Sequence, residues 1–387
     1  MLRSADNSAA HPIDPQPGMR VDEVPTPALI VDLDRLERNI AAWQAMADRN
    51  GVRLRPHVKT HKSPVIARMQ LAAGACGIAS AKPSEAEVFA AAGCDDIAIA
   101  YPTVGADKWE RLARLAAGVR LTVNVDSDVQ ARGLSAAASA AGMTIRVQIE
   151  VDTGLNRVGI DPHDYPALVA FARLLASLPG IELDGITTHR GKFGERLARM
   201  TNAEAGHEEG AILVGLAERL RVDGLPVANV TAGGTVTGRG VAEVPGVTEV
   251  RAGTYVFYDA MQVGMGSAEP ADIALTILAT VISTRRAGWT TVDAGTKTFS
   301  GDRGVVSADG GEGEIARAVG LDAAVMRTTE EHGMVRLGDG VSVEVGQKLR
   351  FTPYHVCTSV NLATELVGVR GGVVEAVWPV EGRAKTR

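Results

Sequence analysis

The segment Arg55-Pro56-His57-Val58-Lys59-Thr60-His61-Lys62 sets a lysine among other basic groups. Dehydration and flanking cations lower a lysine's pKa and ready its free amine to attack an aldehyde. A solvated basic loop would have the same composition, so the meaning of this segment depends on its position and company. A second segment, Glu150-Val151-Asp152-Thr153-Gly154-Leu155-Asn156-Arg157-Val158-Gly159, presents an arginine between two glycines. Glycine lets backbone approach a ligand, and a fixed guanidinium offers donors to a ring nitrogen or an anion. A polar loop with a surface ion pair is the alternative. In Thr231-Ala232-Gly233-Gly234-Thr235-Val236-Thr237-Gly238, unhindered amides and hydroxyls suit a phosphate, although no Gly-Lys-Ser/Thr follows as in a Walker A loop. A generic Gly/Thr turn would read the same way.

Near the other end, Pro353-Tyr354-His355-Val356-Cys357 spaces a histidine and a cysteine two residues apart, which on a strand puts both on one face. Imidazole and thiolate make a good zinc pair, yet catalytic zinc usually has three protein ligands. A buried cysteine beside a hydrogen-bonded histidine is the competing reading. His332, in Glu330-Glu331-His332-Gly333, is either a further polar group of such a site or a turn residue. His189 closes a predicted strand in Thr187-Thr188-His189-Arg190-Gly191, a position suited to catalysis or substrate contact.

Positioning these groups requires a frame. Short Val/Ile-rich runs alternate with longer segments of helical period, which reads as βα units. Strands are expected at Ala28 to Leu33, Val52 to Arg55, Gly77 to Ala81, Ile97 to Tyr101, Val119 to Val125, Thr144 to Val151, Ile181 to Thr188 and Val227 to Thr231. About eight parallel strands in this length match an α/β fold of the (β/α)8, TIM-like barrel type. Lys59 would then stand at the carboxyl end of a barrel strand, and the Gly233 turn would follow the last one. A doubly wound open sheet has the same periodicity. From about Ala271 the texture turns β-rich, with runs such as LTILATVIST and VSVEVGQKLRF. The expected division is a tail or strand over 1–25 associated with the β-domain, a barrel over 26–265 and a C-terminal β-domain over 266–387. The stretch Gly301 to Gly313 reads as a flexible loop.

The chain has 387 residues, 45% hydrophobic and 22% charged, enough for a large domain and a smaller one. Its net charge of -6 includes no basic block to track nucleic acid or an anionic bilayer. No leader or long apolar run is evident, and three scattered cysteines suit a reducing compartment, so the cytoplasm is expected.

Taken together and in this order, the segments resemble the fold-type III pyridoxal phosphate enzymes, over most of the chain from Thr26 to about Gly382. VDTGLNRVG is similar to the alanine racemase motif. RPHVKTHKSP, the His-x-Cys pair followed by Asn361, and VWPVEGR resemble the branch of D-threonine aldolase and eukaryotic-type D-serine dehydratase. The resemblance implies that Lys59 is the Schiff-base lysine with His57 among the cofactor-binding residues. It also makes Arg157 the partner of the pyridine nitrogen, and Gly233, Gly234 and Thr235 part of the phosphate cup. Tyr255 matches a tyrosine near the cofactor, and His355 and Cys357 match ligands of a divalent metal, with zinc ahead of manganese or magnesium. Homodimers whose sites use both subunits are implied as well.

The implied activity is that of a lyase on small D-configured 3-hydroxyamino acids, with Lys59 taking the α-proton and the metal acting as Lewis acid at the hydroxyl. Loss of water is favoured by the His-x-Cys pair and by His189-Arg190-Gly191. Against this, Ala81 falls where the aldolases have glutamine, and Lys192 to Met200 matches neither branch. A D-threonine-type aldolase is the alternative, followed by a racemase or a pyridoxal phosphate carrier.

Overall fold

The computed structural model describes residues 14–192, 195–304 and 313–387, so much of the Gly301 to Gly313 loop lies outside the described residues. The chain divides into two compact units, one comprising Met1–Leu36 with Ile273–Val380 and the other Glu37–Asp272 with Glu381–Arg387. Each unit is assembled from segments distant in sequence, whereas the expected limits were at residues 26 and 265.

The first apolar run, β1 (Ala28–Asp32), was expected in the barrel but belongs to the sheet-rich unit. It pairs in parallel with a late strand and antiparallel with another. A continuous buried run such as ALIV satisfies either sheet, so pattern alone could not assign it.

The parallel unit contains β2 (Arg53–Leu54), β3 (Ile78–Ser80), β4 (Asp96–Ile99), β5 (Arg120–Val125), β6 (Ile145–Glu150), β7 (Ile181–Thr187), β8 (Asn229–Ala232) and β9 (Glu249–Val250). Their order is β2-β9-β8-β7-β6-β5-β4-β3. A parallel bridge between His57 and Ala79 closes the ring, with Ala79 N donating to Pro56 O at 2.8 Å. The eighth strand, β9, is only two residues long and carries Glu249, so it gave no apolar run to read. Helices cover the strands because each buries one apolar face. The helix Asn202–Val222, for example, starts on a capping box of Thr201 and Glu204 and buries Leu213, Leu216, Ala217 and Leu220. At the amino-terminal end of the strands, Arg55 bridges Asp96 at 2.7 Å and Glu249 at 3.0 Å, part of a polar plug that also includes Gln148, Asp184 and Asn229. That end is filled by paired charges, which leaves the carboxyl end for chemistry.

The other unit adds β10 (Leu275–Ser283), β11 (Trp289–Val292), β12 (Ala316–Ala318), β13 (Ala323–Thr328), β14 (Gly333–Leu337), β15 (Lys348–Pro353), β16 (Glu365–Arg370) and β17 (Val373–Pro379) to β1. The order is β11-β14-β13-β12-β15-β10-β1-β16-β17, and a β10–β11 pairing closes six of the strands into a small barrel. Residues Gly18 to Val21 lie along β17, with Gly18 N donating to Val374 O at 2.8 Å. Val24, Ile30, Leu278, Val367 and Val374 share one buried cluster. Among the described residues, no helix is long and apolar enough to cross a membrane, and all three cysteines are free thiols.

Candidate functional site

The loops at the carboxyl ends of the parallel strands hold most of the expected residues. After β2 the chain forms a single 3-10 turn, Val58–Thr60, capped by His57, whose Nδ1 accepts from Lys59 N at 3.3 Å. His57 is therefore both the residue that closes the barrel and the cap of the turn that presents Lys59. The turn is anchored from below. Lys62, at φ 51°, donates from Nζ to the fully buried Glu85 at 2.7 Å, and Glu85 also accepts from Ser80 Oγ at 2.8 Å and Ala81 N at 2.7 Å. The C-terminal segment closes on the same residue, since Gly382 N donates to Lys62 O at 2.9 Å.

The loops after β7, β8 and β9 complete the ring. Gly234 must lack a side chain because a Cβ there would lie 2.8 Å from His189 Cε1. Gly233 turns the chain at φ 81°, and its amide donates to Glu209 at 3.1 Å. That amide is committed to the protein, which departs from the expectation of an open phosphate donor at Gly233. Glu209 is fully buried and also accepts from Arg190 N at 3.2 Å and Thr237 Oγ1 at 2.6 Å, so a single carboxylate ties the β7 loop to the β8 loop. Thr235 Oγ1 accepts from Tyr255 N at 3.1 Å. The buried Tyr255 hydroxyl accepts from Gln70 at 2.9 Å, and its ring packs 5.1 Å from Trp43.

Arg157 leaves β6 in a loop organised by Asp152 Oδ1, which accepts from Gly154 N at 2.9 Å and Asn156 N at 3.0 Å. The Arg157 side chain itself is exposed. It nonetheless acts with Lys59 and Arg251 on His189.

Burial is the main reason that His189 is pushed down to about 3, with Lys59, Arg251 and Arg157 adding to the effect. Burial, then Lys59, Arg251 and His189, likewise hold His57 well below the ordinary imidazole value. Burial and these neighbours therefore favour the neutral form of both rings. Such a mouth can receive an anionic ligand at the cations and hydrogen-bond to it through neutral imidazoles.

In the other unit, β15 ends at Pro353 and His355 serves as N-cap of the helix Val356–Leu362. His355 and Cys357 thus straddle a helix start, which corrects the expectation of one strand face. Nδ1 of His355 meets Asp302 Oδ2 at 2.7 Å. Among the described residues, no three His, Cys, Asp or Glu side chains group as a complete metal cage. His332 sits in the exposed β13–β14 turn against Thr329 at 3.3 Å and joins no site.

The family model described as alanine racemase, N-terminal domain, matches residues 31–260, and a serine dehydratase domain model matches residues 274–369. The chain belongs to the alanine racemase N-terminal domain family. It is 38% identical over 347 residues to the D-threo-3-hydroxyaspartate dehydratase of Delftia sp. strain HT23, covering 86% of this chain and 91% of the relative. It is 36% identical over 393 residues to the D-threonine aldolase of Arthrobacter sp., covering 100% of each. A solved metal-free cysteine-to-alanine variant of D-threo-3-hydroxyaspartate dehydratase superposes with a TM-score of 0.84 at 34% identity, over 93% of this chain and 98% of that one.

As a member of the alanine racemase N-terminal domain family, the chain carries two residues at its barrel mouth that the sequence reading missed. Arg251 follows β9 and is buried, donating to Thr187 Oγ1 at 2.7 Å and Thr188 O at 3.1 Å. Burial lowers its pKa, while Glu150 and Glu249 oppose the shift. The signal available was its place one residue before Ala252-Gly253-Thr254-Tyr255, but the very short β9 hid the strand end. Glu209 had no local signal, because it lies within a helix and meets its partners only across the fold.

Proposed function

We propose that this chain is a pyridoxal phosphate- and metal-dependent lyase acting on small D-configured 3-hydroxyamino acids, chiefly by loss of water. The carrying observation is the Lys59 amine at the barrel mouth, set among Arg251 and two imidazoles that burial and those cations keep neutral. The residues fit the cofactor's chemistry. An amine for covalent attachment, the close packing of Gly234 on His189, and the Thr235–Tyr255 contact lie on neighbouring loops. When bound, pyridoxal phosphate supplies an electron sink for bond breaking at the substrate's α-carbon.

In this reading Lys59 anchors the cofactor and moves the α-proton. His57 fixes the turn that carries Lys59, and Gly233, Gly234, Thr235 and Tyr255 shape the phosphate end. Arg157 is assigned to the pyridine nitrogen. His189 faces the substrate as a neutral hydrogen-bonding group and so does not add charge to a site already cationic. His355 and Cys357 fit a divalent ion as imidazole and thiol donors, zinc first and manganese or magnesium next. Such an ion supplies Lewis-acid charge at the 3-hydroxyl. The proposal includes a homodimer, to be checked by light scattering.

Support comes from relatives whose names are those of a D-threo-3-hydroxyaspartate dehydratase and a D-threonine aldolase. The full-length match to the aldolase keeps carbon–carbon cleavage as the second reading. One experiment separates the two. The loaded enzyme is incubated with D-serine, D-threonine and both D-3-hydroxyaspartates, with and without chelator, and products are resolved. Keto acid and ammonia indicate the dehydratase; glycine and an aldehyde indicate the aldolase. Neither product from any substrate would refute the proposal.

A further inference from the structure

His355 has a partner with the geometry of an orienting carboxylate. Asp302 Oδ2 stands 2.7 Å from His355 Nδ1 and accepts its hydrogen. An imidazole held in this way presents Nε2 to a metal, and the carboxylate makes that nitrogen a stronger donor. We infer that Asp302 is a positioning residue for the metal pair, setting the tautomer and ring orientation of His355; the inference rests on reading His355 and Cys357 as metal donors.

Asp302 is itself held from several directions. Thr358 Oγ1 donates to Asp302 Oδ2 at 2.9 Å and lies 3.0 Å from Ser300 Oγ, which accepts from Asp302 N at 3.2 Å. One residue further along the helix, Ser359 Oγ donates to Phe299 O at 2.9 Å. The segment Phe299 to Asp302 is thereby bonded to the first turn of the helix that His355 caps. Ser300 adopts φ 71° and ψ -176°, a region that residues with a side chain rarely enter. This strain occurs where the chain must turn from the short helix Thr296–Phe299 to bring Asp302 against His355. Asp302 and His355 are 53 positions apart, so no local pattern pairs them.

The test uses the full-length enzyme loaded with pyridoxal phosphate, stripped of metal and titrated with Zn2+ against a chromophoric chelator. Asp302→Asn is expected to weaken Zn2+ binding by about ten- to a hundredfold, with Asp302→Glu recovering part of the loss. The visible spectrum of the Co2+-loaded protein should shift in Asp302→Asn, while cofactor absorbance and thermal midpoint stay at wild-type values. Unchanged Zn2+ affinity in Asp302→Asn overturns the inference, whatever happens to its thermal midpoint. Equal Zn2+ affinity in wild type and His355→Ala shows instead that the metal-pair reading is at fault, and the role of Asp302 falls with it.

Discussion

Replacing Glu209 tests whether one buried carboxylate organises the barrel mouth. Its three donors are Arg190 N at 3.2 Å, Gly233 N at 3.1 Å and Thr237 Oγ1 at 2.6 Å, all in a fully buried setting. In Glu209→Ala the two backbone amides lose their acceptor and cannot rotate away. Each buried donor left unsatisfied costs about 1–3 kcal/mol, so the variant should lose about 2–6 kcal/mol. Glu209→Gln keeps an acceptor oxygen for the amides, and the Thr237 hydroxyl can rotate to accept from the new amide. That variant should lose about 1 kcal/mol. Urea unfolding of both, followed by circular dichroism, gives the difference directly. Because Gly233 begins the proposed phosphate turn, Glu209→Ala should also release pyridoxal phosphate faster in a dialysis assay. Equal stability of the two variants would refute the reasoning, since it would mean that the amides find water or other acceptors.

Lys59→Ala should abolish both the cofactor's visible absorbance in the dialysed protein and lyase activity, and a retained band would place the attachment elsewhere. Glu85→Ala strips the buried Lys62 ammonium of its carboxylate at 2.7 Å and should destabilise the protein by about 3–5 kcal/mol in urea unfolding. His61 is fully buried and held near 3, chiefly by burial, against an ordinary imidazole value of 6.5. Between those values the unfolded chain binds the extra proton, so this contribution is complete above about pH 6.5 and declines as pH falls toward 3. By about pH 5 the loss should reach about 2 kcal/mol, and His61→Asn should flatten the stability–pH slope in that window. Gly233→Ala forces a side chain at φ 81° to within 2.9 Å of Gly238 Cα, and should lower the thermal midpoint and weaken cofactor retention, as read by absorbance.

The order and character of most elements were legible in the sequence, because alternating buried runs and amphipathic segments leave a local pattern. The β8 turn and the Lys59 loop could be placed at strand ends for the same reason. What stayed hidden depended on distant partners. β1 reads like any buried strand, and its placement with β10 and β16 is decided by segments more than 200 residues away. β9 is too short and too polar to show itself, so Arg251 beside it went unassigned.

The His-x-Cys spacing was visible, but the strand inferred for it was not there. The chain turns into a helix after Pro353, and only that turn sets His355 against Asp302. Residue types and short spacings, fixed by covalent geometry and local hydrophobic period, thus marked Lys59, the glycine turn and the His-x-Cys pair as candidates from sequence alone. The neutrality of His57 and His189, the grip of Glu209 on two loops and the carboxylate behind His355 were decided by the tertiary structure. Desolvation and long-range hydrogen bonding arise only when residues remote in sequence exclude water together.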